Sequence, residues 1–359
     1  MIHSLPIASK LFAYLFPDSM MTVVDAGARG GGELVRWAAL EKNLRLLNFE
    51  PDPKAYEIIQ SRAKGHPGDV RTFTTALART QKQRPLYLSI ASEYNTSLLP
   101  INLERYRRKG WTYRGKKVRL SDIYEIARTE AVDCISLDDF AVQESVKDID
   151  YIKVDIEGAE LELLEASPHA LDQAVGVSVD VIFHEDWIGA PVFADVDRFL
   201  RSKGFALYNL RSVKRNEQYD APFTVRDENG EAHGQIACGD AIYLRDFFET
   251  KSAPPSLEKV AKLAIAAEVN RHADYAFELL VFMRDHMADE KQKAVLARIY
   301  DDAAADYASW MQQYEGRRRM FGMFGMEAWL RRVTPGWIAV PLRPLAWSLR
   351  RLVSGLGSK

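Results

Sequence analysis

Two acidic side chains and one histidine occupy positions from which they could move a proton. Asp155 and Glu157 follow one apolar run, and His184 ends a second apolar run further along the chain. Glu157 is predicted to accept a proton from a reacting hydroxyl, with Asp155 orienting the reacting groups and His184 as the alternative base. The same three side chains also offer oxygen and nitrogen ligands that could hold Mg²⁺ or Mn²⁺.

A glycine-rich turn near the start of the chain predicts a nucleotide-like ligand. The apolar residues 22–24 predict a buried strand that leads to Asp25, and Gly27 and Gly31 then flank Arg29 before a helical pattern begins. The turn lacks the G-x-G-x-x-G spacing of dinucleotide sites, and no Lys-Ser/Thr pair follows it as in a phosphate-binding loop. A ligand with a ribose but no phosphates fits better, and S-adenosylmethionine is the common one.

An acid at the end of the second predicted strand supports the same ligand. Glu50 follows the apolar residues 44–49 and precedes the sequence Pro-Asp-Pro. A carboxylate in this position can accept hydrogen bonds from both hydroxyls of a ribose. Asp25, Asp155 and His184 also fall at the ends of predicted strands, so all four side chains are expected at one edge of a parallel sheet.

Strand and helix patterns alternate through the first two-thirds of the chain and predict a doubly wound α/β sheet. Beyond the first two strands, the patterns predict strands at 70–77, 86–90, 151–154, 175–183, 205–210 and 241–244, and helices at 53–64, 159–165 and 195–202. Ligand sites in such sheets lie at the carboxyl ends of the strands.

Four motifs resemble those of FkbM-family methyltransferases. The sequence at 150–160 is similar to the family pattern IKxDxEGxE, 49–53 to FEPxP and 135–140 to tLDdf, and 24–31 is similar to VDxGAnxG with Arg29 in place of the asparagine. The resemblance covers roughly residues 20–246. It implies a Rossmann-like class I methyltransferase sheet with a C-terminal helical extension, and S-adenosylmethionine as the cofactor.

The resemblance also extends the predicted site. A polar loop with Asn95 and Ser97 is similar to a Ser/Asn loop of the family, which implies contact with the cofactor or the acceptor; ordinary loop hydrogen bonding is the alternative. The predicted cofactor-binding residues are therefore Asp25, Gly27, Arg29, Gly31, Glu50, Asn95 and Ser97. Glu160 is interpreted as a structural residue or a further site acid, because an acid at a helix start also stabilises the helix dipole.

Composition and charge limit the partners. The chain has 359 residues, 47% of them hydrophobic, and its net charge is −2. Cys134 and Cys238 are too few for a disulfide scaffold, which favours a reducing, cytoplasmic setting. From Arg317 onward the charge is +8, which leaves −10 for the preceding residues and argues against nucleic acid as a partner.

The predicted organisation has four parts: an N-terminal docking helix (1–20), a methyltransferase domain (21–250), a helical hairpin region (256–313) with breaks near Asn270 and at 287–289, and a basic amphipathic tail (317–359). No uncharged run is long enough to span a membrane. Arginines, tryptophans and three prolines in the tail fit short helices at the inner face of a membrane, or packing on the catalytic domain or a partner subunit.

The predicted reaction is O-methylation of a sugar hydroxyl on a glycan or glycolipid. The segment 101–120 is basic and aromatic, and it is predicted to be either a solvated insertion or a platform for a sugar-bearing or anionic substrate. Two alternatives stay open: a methyltransferase acting on a small secondary metabolite, and a non-catalytic S-adenosylmethionine-binding scaffold. The sequence leaves the oligomeric state and the acceptor open.

Overall fold

The structure is a computed structural model, and it describes residues 5–89, 96–113, 116–226, 233–250 and 255–333. Side chains are described as far as residue 312, apart from those of residues 81–82, 113 and 249–250. The strands are β1 (Met21–Ala26), β2 (Leu44–Phe49), β3 (Asp69–Phe73), β4 (Ala76–Leu77), β5 (Gln81–Ser89), β6 (Lys109–Tyr113), β7 (Lys116–Arg119), β8 (Ile126–Ile135), β9 (Tyr151–Val154), β10 (Gly176–Ile182), β11 (Phe205–Gln218) and β12 (Gln235–Arg245).

The helices frame these strands. They are α1 (Pro6–Tyr14), α2 (Gly32–Arg36), α3 (Pro53–Ala63), α4 (Leu103–Tyr106), α5 (Leu120–Tyr124), α6 (Leu137–Gln143), α7 (Glu160–Glu165), α8 (Pro168–Gln173), α9 (Phe193–Ser202), α10 (Phe247–Thr250), α11 (Leu257–Val269), α12 (Ala273–His286) and α13 (Glu290–Val333), with a short 3-10 helix at Ala38–Asn43.

One large sheet organises the described chain. Its strand order is β3-β2-β1-β9-β10-β12-β11-β6-β7. The five strands β3, β2, β1, β9 and β10 run parallel to one another, and β12 runs antiparallel to both of its neighbours, β10 and β11. The carboxyl ends of β1, β2, β9 and β10 therefore meet at one edge. This arrangement confirms the predicted doubly wound α/β class, and the antiparallel insertion of β12 is a feature that the pattern did not predict.

A smaller sheet differs from the prediction. The expected single strand at 70–77 is divided between β3, in the large sheet, and β4, which pairs with β8. Strand β8 pairs antiparallel with β5 and was not predicted, because most of its side chains are exposed and its apolar pattern is weak. A strand whose side chains are mostly exposed shows little alternation of apolar and polar residues, so its sequence gives a weak strand signal.

The core explains why the strands of the large sheet read as continuous apolar runs. Side chains of β1, β2, β9 and β10 pack with those of α6, α7, α8 and α9 in one buried cluster. Every residue of β1 is buried, because helices cover both faces of a doubly wound sheet.

The terminal helices join this core through buried polar contacts. Glu268 of α11 is buried and accepts hydrogen bonds from the backbone N–H groups of Ile7 and Ala8 at 3.0 and 2.8 Å, which caps the start of α1. Asp150 is fully buried and forms ion pairs with Lys259 and Lys262 of α11 at 2.6 and 2.9 Å. The first turn of α1 and the helix α11 are therefore fixed by charge-assisted hydrogen bonds.

The chain divides into two compact units, the first reaching Tyr300 and the second beginning at Asp301. Helices α11 and α12 lie in the first unit, together with the sheet. Helix α13 runs from Glu290 to Val333, and the boundary between the hairpin region and the tail stays a prediction. Residues 334–359, with the three prolines, lie outside the described residues. Within the described residues no helix is long and apolar enough to cross a membrane.

Candidate active site

A cavity of about 840 Å³ lies at the carboxyl ends of the parallel strands. It is lined by Gly27 after β1, Glu50 after β2, Asp155 after β9 and Asp180 of β10, and it continues along β11, β12 and β6. Strands lie about 5 Å apart, so the row from β2 to β6 spans about 30 Å. The cavity is therefore long enough for a cofactor at one end and an acceptor at the other.

The glycine turn closes over the end of β9. Gly27 has φ +78°, and a Cβ atom there would lie 1.8 Å from the carbonyl oxygen of Asp155. Its N–H donates to the carbonyl of Phe49 at 3.1 Å, and its own carbonyl accepts from Nζ of Lys153 at 2.8 Å. Only glycine fits this position, and at Gly27 the turn presents its backbone to the cavity.

Lys153 organises the strand ends beneath the turn. Its Nζ lies 3.0 Å from Oδ1 of Asp25 and 3.4 Å from Oδ2 of Asp155. Burial opposes the charge, but these two carboxylates raise the pKa of Lys153 above its ordinary value. Asp25, predicted to bind the cofactor, is buried and lies outside the cavity lining. It contacts Lys153, and Lys153 in turn supports Gly27.

Glu50 stands in the cavity wall with an arginine beside it. Its Oε1 accepts the N–H of Asp52 at 2.9 Å, and its Oε2 lies 3.7 Å from Nε of Arg29. Arg29 also forms an ion pair with Asp52, which caps the start of α3. Burial raises the pKa of Glu50, against the opposing effects of that N–H and Arg29. Glu50 thus presents a buried carboxylate to the cavity, as a ribose-binding acid requires.

Two other predicted cofactor-binding residues, Gly31 and Ser97, do not line the cavity. Gly31 has φ +64°, begins α2 and donates its N–H to Ala28 at 2.9 Å, but it does not line the cavity. Ser97 is buried behind the wall, and its Oγ donates to the carbonyl of Glu157 at 2.5 Å. Asn95 lies outside the described residues.

The backbone of the loop after β9 turns sharply and brings acidic side chains to the cavity. Glu157 has φ +58°, a conformation that is rare outside glycine, and Gly158 follows with φ +108°. Glu160 is buried and accepts the N–H groups of Ile156 and Gly158 at about 3 Å. Burial raises the pKa of Glu160 to about 7, although these N–H groups oppose the shift. Glu160 therefore holds the loop, and Asp155 and Glu157 line the cavity.

A comparison with known families agrees with this geometry. The model of the Methyltransferase FkbM domain matches residues 25–207, about half of the chain. The chain belongs to the FkbM methyltransferase family. Its activity is thus methyl transfer, and the Rossmann-like sheet, the Gly27 turn and Glu50 fit S-adenosylmethionine as the methyl donor.

Individual proteins share little sequence identity with this FkbM-family chain. Methyltransferase sdnD from Sordaria araneosa is 23% identical over 206 residues, which cover 55% of this chain and 78% of that protein. A precorrin-6y C5,15-methyltransferase from Geobacter metallireducens is 11% identical, with a TM-score of 0.31 over 67% of this chain and 86% of that one. An S-adenosylmethionine-dependent methyltransferase from Aquifex aeolicus is 10% identical, with a TM-score of 0.28 over 67% and 92% of the two chains.

The electrostatics of the FkbM-family site centre on Glu157. Burial, followed by the charges of Asp155 and Asp180, raises the pKa of Glu157 well above its ordinary value. Within the described residues no side chain donates a hydrogen bond to its carboxylate. Burial and Asp155 also raise the pKa of Asp180 strongly. A carboxyl group in such surroundings binds a proton readily, which suits a catalytic base.

His184 has a different environment. It follows β10 but does not line the cavity, and its carbonyl accepts the N–H of Asp186 at 2.8 Å. Burial and the charge of Arg105 lower the pKa of His184. Asp186, which does line the cavity, is ion-paired with Arg105 at 2.7 Å. Among the three predicted catalytic residues, the structure thus brings Asp155 and Glu157 together and leaves His184 apart.

Metal ligation by these acids was a further prediction. In the described part of the chain, no group of three or more His, Cys, Asp or Glu side chains converges closely enough to hold a metal ion. The geometry therefore gives no support to a bound Mg²⁺ at Asp155, Glu157 and His184.

Several cavity residues were missed by the sequence reasoning. Asp180 and Asp240 face each other across β10 and β12, and Lys214 and Cys238 lie beside them in the lining. Burial and Asp180 raise the pKa of Cys238 to about 12, so it is a neutral thiol. A lone acid in the apolar run at 175–183 was the available signal for Asp180. The other three depend on β12 being inserted beside β10.

The basic-aromatic segment at 101–120 also lines the cavity. It forms α4, β6 and β7, and the two strands extend the edge of the large sheet. Tyr106, Trp111 and Thr112 belong to the lining. These contacts do not match the predicted solvated insertion, and the platform for a sugar-bearing or anionic substrate stays a prediction.

Proposed function

We propose that this FkbM-family methyltransferase transfers a methyl group to a sugar hydroxyl of a glycan or glycolipid. The observation that carries the proposal is Glu157, a cavity-lining carboxyl group with a raised pKa and no hydrogen-bond donor among the described residues. An amine acceptor needs only to be neutral, whereas a hydroxyl must lose its proton to a base. Because the Glu157 carboxylate can accept that proton, it favours oxygen rather than nitrogen as the methyl acceptor.

The cofactor half of the cavity is built to position the donor. When bound, S-adenosylmethionine supplies an electrophilic methyl group on a positively charged sulfur. Glu50 would hold the ribose hydroxyls, and the backbone at Gly27 would lie against the amino-acid portion. Asp155, and Glu157 once it has lost its proton, would place negative charge near the sulfonium. Most of the rate enhancement then comes from holding donor and acceptor in line.

The acceptor half supports a polar, ring-shaped substrate. Trp111 offers an aromatic face, and Thr112, Asn216 and Arg215 offer polar groups along the same wall. Aromatic faces pack on the apolar faces of sugars, while hydroxyl, amide and guanidinium groups hydrogen-bond to sugar hydroxyls. In this reading Glu157 removes the proton of the hydroxyl that receives the methyl group.

The test is to identify the methylated product. The enzyme is incubated with tritium-labelled S-adenosylmethionine and, in parallel, with oligosaccharides, extracted glycolipids and a small-metabolite fraction, and glycans of a deletion strain are compared with those of the parent. We expect label on a sugar oxygen that the Glu157→Gln variant fails to produce, and a missing O-methyl sugar in the deletion strain. Label confined to the small-metabolite fraction, or on nitrogen, would overturn the proposal.

A lipid-linked acceptor is consistent with the basic tail. We propose that residues from Arg317 onward contact the inner face of a membrane, since each basic residue near an anionic surface contributes about 1 kcal/mol. Flotation with anionic liposomes should recover the full chain and lose it at high salt. A variant with Arg317, Arg318 and Arg319 changed to Gln should float less. Equal flotation of both proteins would instead favour packing of the tail on protein.

A further inference from the structure

The loop that carries Glu157 has a backbone conformation that its own sequence does not favour. Glu157 has φ +58°, in the left-handed region where a residue with a Cβ atom is strained. Its neighbour Gly158 has φ +108°, which glycine adopts readily and other residues do not. A strained residue keeps such a conformation only when contacts elsewhere hold it. Those contacts therefore decide where the carboxyl group of Glu157 lies.

Ser97 binds the backbone of Glu157 directly. Its hydroxyl donates to the carbonyl oxygen of Glu157 at 2.5 Å and accepts the N–H of Leu99 at 2.9 Å. The side chain is only 2% exposed and does not line the cavity. A serine hydroxyl has one proton to donate, and here Glu157 receives it. Ser97 thus contacts the loop of the proposed base from outside the cavity.

Ser97 is itself fixed to the smaller sheet. The N–H of Tyr87 on β5 donates to the carbonyl of Ser97 at 2.8 Å, and the N–H of Ser97 donates to the carbonyl of Tyr87 at 3.1 Å. Strand β5 pairs with β8, and side chains of the two strands pack with Leu98 in a buried cluster. The smaller sheet therefore supports Ser97, and Ser97 in turn supports Glu157.

Two further contacts hold the same loop. A Cβ atom at Gly158 would lie 3.3 Å from the buried side chains of Trp187 and Ala190, so the loop packs closely there. The carboxylate of Glu160 accepts the N–H groups of Ile156 and Gly158 at 3.0 and 2.9 Å. These contacts fix the N–H groups on either side of Glu157, whereas the Ser97 hydroxyl fixes the carbonyl of Glu157 itself.

We infer that Ser97 is a positioning residue of the methyl transfer, whose hydroxyl holds the backbone of Glu157 so that its carboxyl group lies at the acceptor, an inference that rests on the proposed function. Glu157 lines the cavity and Ser97 does not, so Ser97 acts on the reaction through Glu157. A base must lie within hydrogen-bond reach of the proton it removes, and a displacement of about 1 Å can cost about a hundredfold in rate.

Methyl transfer by single variants tests this role. A whole-cell extract of the deletion strain supplies the acceptor in its unmethylated form, whatever its chemical class, and tritium-labelled S-adenosylmethionine is the donor. We expect Ser97→Ala to lower the rate at saturating donor about tenfold. The half-saturating donor concentration and the calorimetric affinity for S-adenosylhomocysteine should stay within about twofold. Ser97→Thr, which keeps a hydroxyl, should retain most of the rate.

Ser167 provides the matched control. It is also 2% exposed, and its Oγ accepts the N–H of Leu137 at 3.0 Å, just before α8 and outside the cavity lining. Ser167→Ala removes a buried hydroxyl and its hydrogen bond but leaves the contacts of Glu157 in place, so the rate should stay within about twofold. An equal loss of rate in the two alanine variants would assign the effect to general stability and overturn the positioning role.

A double variant separates positioning from a merely structural role. Because Ser97 acts through Glu157, adding Ser97→Ala to Glu157→Gln should change the residual rate by less than about twofold, so the two losses are not additive. Hydrogen exchange needs no acceptor: the N–H groups of Ile156 and Gly158 should exchange faster in Ser97→Ala than in the wild type or in Ser167→Ala. Additive losses of rate, or unchanged exchange of the loop, would overturn the inference.

The inference and the proposed function can fail separately. If Glu157→Gln is slow but Ser97→Ala transfers label at the wild-type rate, the proposed base stands and the positioning role is wrong. If the variants behave as expected but the label lies on nitrogen or on a small metabolite, the positioning role stands and the sugar acceptor is wrong.

Discussion

The two ends of strand β9 carry acids in opposite surroundings. Asp150, immediately before the strand, is fully buried, accepts the N–H of Thr22 at 2.9 Å and pairs with Lys259 and Lys262. Glu157, beyond the other end, has a raised pKa and no donor to its carboxylate among the described residues. The same chemical group is thus an anchor at one end and the proposed catalytic base at the other.

The difference lies in the neighbours rather than in burial. Removing a carboxylate from water is costly at both ends, but at Asp150 two ammonium groups and an N–H compensate for the lost hydration. At Glu157 the nearest charges are the acids Asp155 and Asp180, and Lys214 offsets them only in part. The matched charges at Asp150 stabilise the fold, whereas the proposed catalytic base, Glu157, lies where the charges are not matched.

The largest expected effect is the loss of turnover when Glu157, whose charge is not matched by its neighbours, is replaced. Glu157→Gln should lower kcat by about a hundredfold to ten-thousandfold, because the base is lost, while S-adenosylmethionine affinity stays within a few-fold. Asp155→Asn should also lose most turnover. Rates come from labelled-methyl transfer and affinities from calorimetry. Normal turnover in both variants, with His184→Ala inactive, would assign the base to His184; loss of cofactor binding would place the acids in the cofactor pocket.

Replacing Asp150, whose charge is matched by two lysines, should instead lower the stability of the protein. Asp150→Ala should lower the free energy of unfolding by about 3 to 5 kcal/mol, because Lys259 and Lys262 would be left close together without a counter-charge. Urea denaturation followed by circular dichroism measures this. Asp148→Ala is the matched control, two residues away and exposed, and should change stability by less than about 0.5 kcal/mol. Equal stabilities for the two variants would refute the anchor.

A third acid, Glu50, should affect binding alone. Glu50→Ala should weaken S-adenosylmethionine by about 2 kcal/mol, roughly thirtyfold, because a charge-assisted contact to the ribose hydroxyls is lost. Glu57→Ala on α3 serves as the control, since Glu57 is exposed on the next helix. Calorimetry that finds wild-type affinity in the Glu50 variant would remove this residue from the site.

The smallest expected effect is a pH-dependent gain in stability when Glu157 is replaced. A carboxyl group whose pKa is raised by folding stabilises the protein below its unfolded pKa, and that contribution is lost as pH rises through the folded pKa. Glu157→Gln should therefore equal the wild type at low pH and exceed it above the raised pKa. Over the same window wild-type turnover should rise with pH, as the base loses its proton. Identical stability curves for both proteins would contradict the raised pKa.

Much of this molecule was accessible from local sequence patterns. The apolar runs at 22–24, 44–49 and 151–154 predicted strands, because parallel strands buried on both faces must be continuously apolar. Asp25, Glu50, Asp155 and His184 were predicted to share one edge because they follow such strands, and of these Glu50 and Asp155 line the cavity. These are properties of short segments, and short segments were sufficient to predict them.

The tertiary structure alone decided which residues face each other. Strand β12 follows β11 in sequence but lies between β10 and β11 in the sheet, and this insertion brings Asp240, Cys238 and Lys214 to the acids of β9 and β10. The hydrogen bond from Thr112 to Glu217 and the ion pairs of Asp150 with α11 likewise join residues far apart in the chain. His184, although it follows β10, does not line the cavity. Such contacts depend on strand order and register, which no single segment encodes.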